Sequence, residues 1–409
     1  MNSSYQGGAG TTRPRRLLLC LDGVPHKLIE SAKARGLFDS FGSPTRLLSP
    51  FPTMTNVALS AMFTATPPAG YESLYFDRNA KEQRGGIRKY LGRRTPDKIP
   101  SSYMDKLDYQ EPLMFEFLIY VAPEKVWRTD MRKFHERFRA APQTRDYFAF
   151  LKGTDGLLHA QGPARLNIAL ESLDKILIEI QKFCGNETEI VLFSDHGMNL
   201  EDNQKVDLVG HLRRRNFKVT SNFNNVRRAV SIPAFGLCSY AAAYCADEDL
   251  IGEAADVMVE KEGVDFVVYK DGDQVVLKSQ RGDAVIAHDA NDRYRYVPMS
   301  GDPLELKCFG AASLSASEWF GKTNAHRYPN AAVNIYKSLF SPRVHHTADI
   351  LISLHDGYYF GWSPFGKFVR LRATHGNALA SSSNAFMMST HREIPPCVNG
   401  DDAKPWLMS

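Results

Sequence analysis

The feature that most constrains this chain is the stretch at residues 190–198, where four apolar residues are followed by Ser194, Asp195, His196 and Gly197. A near-continuous apolar run of strand length is typical of a strand buried on both faces in a parallel sheet. Ligands of open α/β sheets bind just beyond the carboxyl ends of such strands. We therefore expect Asp195 and His196 at a binding edge, although an Asp in this place is by itself more often a turn former or a helix cap.

Two earlier segments place polar side chains at comparable positions. Residues 17–21 form another apolar run, and Asp22 follows it as Asp195 follows the later one. Parallel strands bring both carboxylates to the same edge of a sheet. Thr55 precedes an apolar segment of helical length at residues 57–63, so we expect it at a helix N-terminus, where free backbone N–H groups favour an anion. A capping role is the simpler interpretation of this threonine.

Three more candidate residues lie elsewhere in the chain. Asp155 and His159 are four residues apart, so a helical turn would point both side chains the same way. A long helix is predicted over residues 164–183 from the spacing of its apolar residues. His375 lies in a Thr-His-Gly-Asn segment before a predicted helix rich in Ala, Ser and Met, and a buried strand is predicted over residues 348–354.

Length and composition predict a globular protein, with room for one large α/β domain with insertions or for two or three smaller domains. The chain has 409 residues, of which 43% are apolar and 11% aromatic, so it can bury a sizeable core. We predict one large domain over residues 13–409. It contains a largely helical lid insertion at residues 81–145 and a β-rich insertion at residues 263–344, where Asp271 and Gly272 predict the turn of a β-hairpin.

Composition also disfavours several functions and locations. The net charge of +4 is small and no basic stretch interleaves with aromatic residues, so no nucleic-acid polymer is expected as a partner. No apolar run reaches the length of about 18 residues that a membrane span needs, so no membrane is expected either. The six cysteines form no C-x-x-C pair and no export signal is evident, so we expect a reducing, cytoplasmic setting. The oligomeric state is left open.

Considered together, the candidate residues are three carboxylates, three imidazoles and a hydroxyl, each at a strand end or near a helix start. They are Asp22, Thr55, Asp155, His159, Asp195, His196 and His375. In kind and order they resemble the alkaline phosphatase superfamily, and most closely its type I phosphodiesterase/nucleotide pyrophosphatase branch. The Ser-Asp-His-Gly-Met element is the most specific part of the resemblance, which runs from Leu17 to Met388.

The resemblance implies an alkaline-phosphatase-like α/β/α sandwich with a mostly parallel central sheet and the two insertions. It also implies a pair of zinc ions, with manganese as an alternative, at the carboxyl edge of that sheet. The first ion would be held by Asp22, Asp195, His196 and the Thr55 oxygen. The second ion would be held by Asp155, His159 and His375.

The residue types also fit the chemistry that the family performs. A threonine hydroxyl is a poor nucleophile near neutral pH, and coordination to a dication favours its alkoxide. We therefore predict hydrolysis of phosphodiester or phosphoric anhydride bonds through a covalent phospho-threonine at Thr55. Two dications against three carboxylates leave one positive charge, or none once Thr55 ionises, which matches a singly charged phosphodiester better than a doubly charged monoester.

Departures from the branch keep other substrates open. Asn56-Val57-Ala58 stands where the branch carries Phe-Pro-Asn, and its phosphate-binding Asn has no clear match near residues 73–75. Thr55-Asn56 also resembles phosphonoacetate hydrolase, so cleavage of a phosphonate carbon–phosphorus bond is one alternative and a phosphomonoesterase is another. The expected partner is a small phosphodiester, nucleotide or phosphonate, with Asn56 binding it. A metal-stabilised binding protein without turnover is the alternative of another class.

Overall fold

The computed structural model describes residues 15–86, 99–110, 121–185, 187–309, 312–341, 343–361 and 370–408. Its strands fall into a seven-stranded sheet, a nine-stranded sheet and two small two-stranded sheets. In chain order the strands are β1 (Arg16–Leu21), β2 (Thr45–Leu48), β3 (Leu74–Asp77), β4 (Glu82–Gly85), β5 (Tyr109–Gln110), β6 (Tyr147–Leu151), β7 (Glu189–Phe193), β8 (Gln204–Lys205), β9 (Lys218–Val219), β10 (Ala229–Ser231), β11 (Tyr240–Cys245), β12 (Val264–Asp271), β13 (Gln274–Ser279), β14 (Gly282–His288), β15 (Arg293–Gly301), β16 (Leu314–Ser315), β17 (Ile350–Leu354), β18 (Tyr358–Tyr359), β19 (Asn384–Ser389) and β20 (Cys397–Asn399).

The helices flank these sheets. In chain order they are α1 (His26–Ala34), α2 (Thr55–Met62), α3 (Pro123–Ala140), α4 (Gly153–Gln161), α5 (Pro163–Cys184), α6 (Leu208–Arg214), α7 (Leu250–Val259), α8 (Ala316–Thr323), α9 (Ala331–Phe340), α10 (Ala380–Ser383) and α11 (Lys404–Met408). Short 3-10 helices span Tyr103–Lys106, Lys307–Phe309 and Gly400–Asp402. Within the described part of the chain, no helix is both long enough and apolar enough to span a bilayer.

The seven-stranded sheet positions the predicted site. Its order is β20-β2-β19-β7-β1-β6-β5, and β1 pairs in parallel with β6 on one side and β7 on the other. Strand β19 is antiparallel to both of its neighbours. Every residue of β1, β6 and β7 is buried, as expected for parallel strands covered by helices on both faces. The predicted mostly parallel central sheet is therefore confirmed.

Alternate residues of β1 pack into opposite layers of the sandwich. Leu19 and Leu21 belong to a core that includes side chains of α3 and α5. Leu18 and Cys20 belong to a core on the other face that includes side chains of α2. This alternation follows from the two-residue period of a strand and produces the predicted α/β/α arrangement.

The nine-stranded sheet has the order β16-β15-β14-β13-β12-β17-β11-β10-β9. The predicted hairpin joins β12 to β13, with Gly272 at a φ of +58° in the turn. Strands β12–β16 come from the predicted β-rich insertion, whereas β9–β11 and β17 come from outside it. The strand predicted over residues 348–354 is β17, and it pairs with β11 and β12 in this sheet.

One prediction of local structure was wrong and another is tested only in part. In its described part the predicted lid segment is helical at α3 and at the 3-10 turn Tyr103–Lys106, and its residues 87–98 and 111–120 lie outside the described residues. Helix α3 buries Trp127, Phe134 and Phe138 in the core. The helix expected after Asn377 is the single turn α10, because the apolar residues that follow it form the buried strand β19. A short apolar run is compatible with either element, and its burial between β2 and β7 decides for a strand.

Candidate dinuclear metal centre

The predicted side chains meet at the carboxyl edge of the seven-stranded sheet. Asp22 follows β1, and Asp195 and His196 follow β7. Because β1 and β7 run in parallel, their ends bring these three side chains together. The Nε2 atom of His196 lies 3.5 Å from Asp22 Oδ1 and 3.3 Å from Asp195 Oδ2. We call these three buried residues the acidic group.

A second cluster forms beside the first. Asp155 and His159 lie on one face of α4, and His159 Nε2 is 3.1 Å from Asp155 Oδ1. His375 comes from the loop before α10, and its Nε2 is 3.8 Å from the same oxygen. We call Asp155, His159 and His375 the histidine group; they too are buried, and in each group one ligand atom per residue lies within 4.8 Å of the others. The rings of His196 and His375 stack at 3.8 Å between centroids, so the two groups adjoin.

Each of the three imidazoles is oriented by a backbone carbonyl. The Nδ1 atoms of His159, His196 and His375 lie 2.7, 3.0 and 2.8 Å from the carbonyl oxygens of Ala373, Gly197 and Thr53. A carbonyl only accepts, so Nδ1 carries the hydrogen in each case. When neutral, each ring therefore presents the lone pair of Nε2 to the centre, which is the usual arrangement of metal-binding histidines.

Thr55 joins the acidic group. It is the first residue of α2, and its Oγ1 donates a hydrogen bond to Asp22 Oδ1 at 3.3 Å and lies 3.3 Å from His196 Nε2. The segment before it is tied to the loop of His375, because the backbone N–H of Gly376 donates to Thr53 Oγ1 at 2.8 Å. The position of the hydroxyl and that of the histidine group are thus coupled through Thr53.

The electrostatics of the two groups differ. Burial, followed by the neighbouring charges of Asp195 and Asp155, raises the pKa of Asp22 well above its usual range. Burial also raises the pKa of Asp195 to about 6 and lowers the pKa of His196 to about 4. Both shifts disfavour charge in the acidic group, as expected where carboxylates crowd together away from water.

In the histidine group the ion pair dominates. Burial opposes ionisation of both Asp155 and His159, yet their mutual attraction and the other imidazoles leave the pKa of Asp155 lowered and that of His159 raised. Burial and the neighbouring His196 lower the pKa of His375 to about 3. The charges of Asp155 and His159 thus balance each other, while the ring of His375 is held neutral.

The donor set fits divalent cations. Asp195 Oδ2 is buried and accepts no hydrogen bond among the described residues, although such an oxygen normally finds a partner. It lies 3.3 Å from His196 Nε2, which carries no hydrogen when the ring is neutral. Carboxylate oxygens with imidazole nitrogens, and without thiolates, suit zinc or manganese.

Two residues that the sequence analysis did not assign also lie at this edge. Tyr103 donates its hydroxyl to Asn56 Oδ1 at 2.8 Å, so the amide beside Thr55 is held from outside α2. Tyr103 was one of the aromatic residues of the predicted lid, and no local pattern distinguishes it. Lys152 follows β6 directly, as Asp22 follows β1, and this shared position after an apolar run was the available signal.

Comparison with known families decides the assignment. The model of the family described as "Type I phosphodiesterase / nucleotide pyrophosphatase" matches residues 81–376, which is 296 of the 409 residues. The chain belongs to this family. The match includes five of the seven predicted site residues and begins after Asp22 and Thr55. Among curated protein sequences, none matches this chain.

Two solved structures share the fold of this chain. Murine ectonucleotide pyrophosphatase/phosphodiesterase 5 is 14% identical, with a TM-score of 0.50 over 96% of this chain and 94% of that chain. Phosphonoacetate hydrolase from Sinorhizobium meliloti 1021, in complex with phosphonoformate, is also 14% identical, with a TM-score of 0.52 over 97% of this chain and 95% of that chain. These likenesses show the alkaline-phosphatase-like fold, and the family match supports a phosphoester hydrolase.

Proposed function

We propose that this protein is a dinuclear-metal hydrolase that cleaves phosphodiester or phosphoric anhydride bonds through a covalent phospho-threonine at Thr55. The observation that carries this proposal is the position of Thr55 Oγ1, at 3.3 Å from both Asp22 Oδ1 and His196 Nε2. A half-buried hydroxyl next to two candidate ligands, at a helix N-terminus, is well placed to attack phosphorus.

In this proposal the acidic group and the histidine group each hold one divalent cation, with zinc as the expected metal. When bound, such cations stabilise charge on the phosphoryl group and favour the ionised form of the threonine hydroxyl. The carbonyl partners of His159, His196 and His375 keep the Nε2 atoms in position for binding. The hydrogen bond from the N–H of Gly376 to Thr53 Oγ1 ties the segment before Thr55 to the loop that carries His375.

The chemical step is assigned to Thr55. Its Oγ1 forms a bond to phosphorus while the bond from phosphorus to the leaving oxygen breaks, and the electron pair passes to that oxygen. The hydroxyl proton, which Thr55 donates to Asp22 Oδ1 in the structure, is lost to water when the hydroxyl ionises, and the leaving oxygen takes a proton from water. Water then attacks phosphorus, the bond from phosphorus to Thr55 Oγ1 breaks, and a proton from that water restores the hydroxyl. Asn56 binds a phosphoryl oxygen through its NH₂ group, because its Oδ1 already accepts from Tyr103.

Phosphonate hydrolysis is the second candidate. The observation that favours it is the Asn56 side chain directly after the nucleophile, together with the fold shared with a phosphonoacetate hydrolase that binds phosphonoformate. In that reaction the bond from phosphorus to carbon breaks instead, and the electron pair passes to a carbon next to a carboxylate.

The test is hydrolysis by purified protein loaded with zinc or manganese, using bis-p-nitrophenyl phosphate, a dinucleoside diphosphate, p-nitrophenyl phosphate and phosphonoacetate. Acid quenching in the steady state, followed by mass spectrometry, should find a phosphoryl group on Thr55. Turnover with the label on another residue would overturn the nucleophile assignment. A protein that is fully metal-loaded yet inert on all four substrates would favour the binding-protein alternative.

A further inference from the structure

Helix α4 begins at Gly153, only two residues before the candidate ligand Asp155. The first N–H groups of a helix have no partner inside the helix and need an acceptor from elsewhere. A Ser, Thr, Asp or Asn directly before the helix usually supplies it. That position is here occupied by Lys152, whose side chain contains no acceptor. The turn that carries Asp155 therefore needs an acceptor from another part of the chain.

Asp130 of α3 supplies this acceptor. Its side chain is fully buried, and its Oδ2 accepts a hydrogen bond from the backbone N–H of Gly153 at 3.4 Å. The backbone N–H of Lys152 donates to the same carboxylate. A carboxylate at a helix N-terminus also interacts favourably with the helix dipole. One side chain of α3 thus caps α4 from a position 23 residues earlier in the chain.

Two further contacts fix Asp130 against α4. The hydroxyl of Tyr109, a buried residue of β5, donates to Asp130 Oδ1 at 2.5 Å. A Cβ atom at Gly153 would lie only 3.0 Å from the Cα atom of Trp127, so glycine is what allows α3 to approach α4 this closely. The carboxylate and the helix that it caps are therefore both held in place by their surroundings.

The other side of the same turn contacts the strand end that carries Asp22. Thr154 Oγ1 donates to the carbonyl oxygen of Asp22 at 2.7 Å. Asp22 is tied to the sheet independently, because its backbone N–H donates to the carbonyl of Leu151 at 3.0 Å. The first turn of α4 thus lies between the buried carboxylate of α3 and a fixed strand end. The positions of Asp155, in this turn, and of His159, one turn later, depend on it.

We propose that Asp130 is a positioning residue for the candidate metal centre, which caps α4 from α3 and so holds Asp155 and His159 where the histidine group binds a cation. This inference rests on the metal centre of the proposed function and adds a residue outside the two groups. The acidic group should depend on Asp130 much less, because pairing of β1 with β7 fixes its strand ends. Loss of a partner that orients metal ligands weakens metal binding by about 10–100-fold.

The experiment measures zinc binding near pH 7.5, where Asp130 is ionised because burial raises its pKa only to about 6. A chromophoric chelator competes for zinc with the wild type, Asp130→Ala and Asp130→Asn. The wild type should bind two zinc ions. Asp130→Ala should weaken the binding of one of them about tenfold or more and change that of the other by less than about threefold. Asp130→Asn should recover most of the loss, because its amide oxygen can still accept from the N–H of Gly153.

Substitutions in each group identify the zinc ion that is weakened. With His196→Ala in the acidic group, the remaining zinc belongs to the histidine group, and adding Asp130→Ala should weaken it. With His375→Ala in the histidine group, the remaining zinc belongs to the acidic group, and adding Asp130→Ala should change its affinity by less than about threefold. Equal losses in both backgrounds, or the opposite pattern, would overturn the proposal.

The matched control is Asp265→Ala. Asp265 is another buried carboxylate that accepts from a tyrosine hydroxyl, that of Tyr328 at 3.0 Å, but it lies on β12 in the nine-stranded sheet. Its loss should lower the thermal transition and leave both zinc affinities unchanged. If Asp265→Ala weakens one zinc as much as Asp130→Ala does, the effect is a general loosening of the fold and the positioning role is wrong.

A milder pair of variants keeps the test decisive if Asp130→Ala does not fold by circular dichroism. Tyr109→Phe removes the hydrogen bond to Asp130 Oδ1 and keeps the buried ring, and it should weaken the same zinc by about threefold or more. Tyr328→Phe removes the corresponding bond to Asp265 and should leave zinc binding unchanged. Identical zinc affinities in these two variants would overturn the proposal.

Zinc binding also separates this inference from the proposed function. If the zinc-loaded wild type hydrolyses no substrate but Asp130→Ala weakens the zinc of the histidine group, the proposed function fails and the positioning role stands. If the wild type hydrolyses its substrate and folded Asp130→Ala keeps both zinc affinities, the positioning role fails and the function stands. A wild type that binds fewer than two zinc ions overturns both.

Discussion

The two candidate metal-binding groups use the same kinds of ligand but differ in charge. The acidic group has two carboxylates and one imidazole, and burial disfavours charge on every member of it. The histidine group has one carboxylate and two imidazoles, and an ion pair between Asp155 and His159 balances it. The two groups should therefore differ in how much a bound cation stabilises them in the folded chain.

The difference follows from where the ligands originate. The acidic group comes from the ends of two parallel strands, whose geometry forces two carboxylates together. The histidine group comes from one helix and a distant loop, so a carboxylate and an imidazole four residues apart on α4 can pair. Without a cation, the two carboxylates of the acidic group repel each other, whereas the charges of the histidine group neutralise each other. Substitutions in the two groups should therefore have different effects on the free energy of unfolding.

The largest expected effect concerns Thr55, which contacts the acidic group. Thr55→Ala removes the proposed nucleophile and should lower kcat by about 10³-fold or more, because the remaining groups stabilise charge but cannot form the proposed covalent intermediate. The measurement is steady-state hydrolysis of bis-p-nitrophenyl phosphate. Thr55→Ser, which keeps a hydroxyl, is the matched control and should retain measurable turnover. Full activity of Thr55→Ala would remove Thr55 from the mechanism.

The next effect tests the charge difference directly in chelator-treated protein near pH 6, where an imidazole with a raised pKa is protonated. Asp155→Asn breaks a buried ion pair and should lower the free energy of unfolding by about 3 kcal/mol. Asp195→Asn relieves repulsion with Asp22, keeps an acceptor for the N–H of Gly23, and should raise it by roughly 1 kcal/mol. Denaturant unfolding measures both. Shifts of the same sign in the two variants would contradict the comparison.

A smaller effect is the pH dependence of the free energy of unfolding that Asp195→Asn gains. The pKa of Asp195 is raised to about 6 in the folded chain, from an ordinary value of 3.8. Below about pH 4 the carboxyl is protonated in both states and contributes no difference, and as pH rises the unfolded chain ionises first. The folded state therefore loses stability up to about pH 6. The gain from Asp195→Asn in metal-free protein should grow over this interval and then level off; a gain independent of pH would contradict it.

The smallest expected effect comes from Tyr103, outside both groups. Tyr103→Phe removes the hydrogen bond to Asn56 Oδ1 and leaves the buried ring in place. We expect kcat/KM to fall by roughly threefold to tenfold, because one hydrogen bond contributes about 1 kcal/mol. The thermal transition should move little. A loss as large as that of Thr55→Ala would indicate that Tyr103 meets the substrate itself.

The sequence predicted the framework of the site from local pattern. Continuous apolar runs before Asp22 and Asp195 identified buried parallel strands, and the parallel arrangement placed both carboxylates at one edge. The four-residue spacing of Asp155 and His159 predicted their common helical face. The hairpin at Gly272 was likewise readable, because a turn with positive φ favours glycine.

Other elements could not be predicted in this way. The Ala-rich strand β11 has little β propensity and is stabilised by pairing with β10 and β17. The Met-rich segment of β19 reads equally well as a helix, and its place between β2 and β7 settles its structure. Helix α3 lies in the predicted lid insertion, and its large aromatic side chains pack into the core beside β1 and β6.

By itself, the sequence determined which side chains stand at strand ends and on helical faces, because those positions follow from the local period of apolar residues. Only the tertiary structure decided the ring orientations and the supporting contacts. The carbonyl of Thr53 that orients His375 lies 322 residues away in the chain, and Tyr103 reaches Asn56 across 47 residues. Such contacts form when whole layers pack, so no local pattern encodes them.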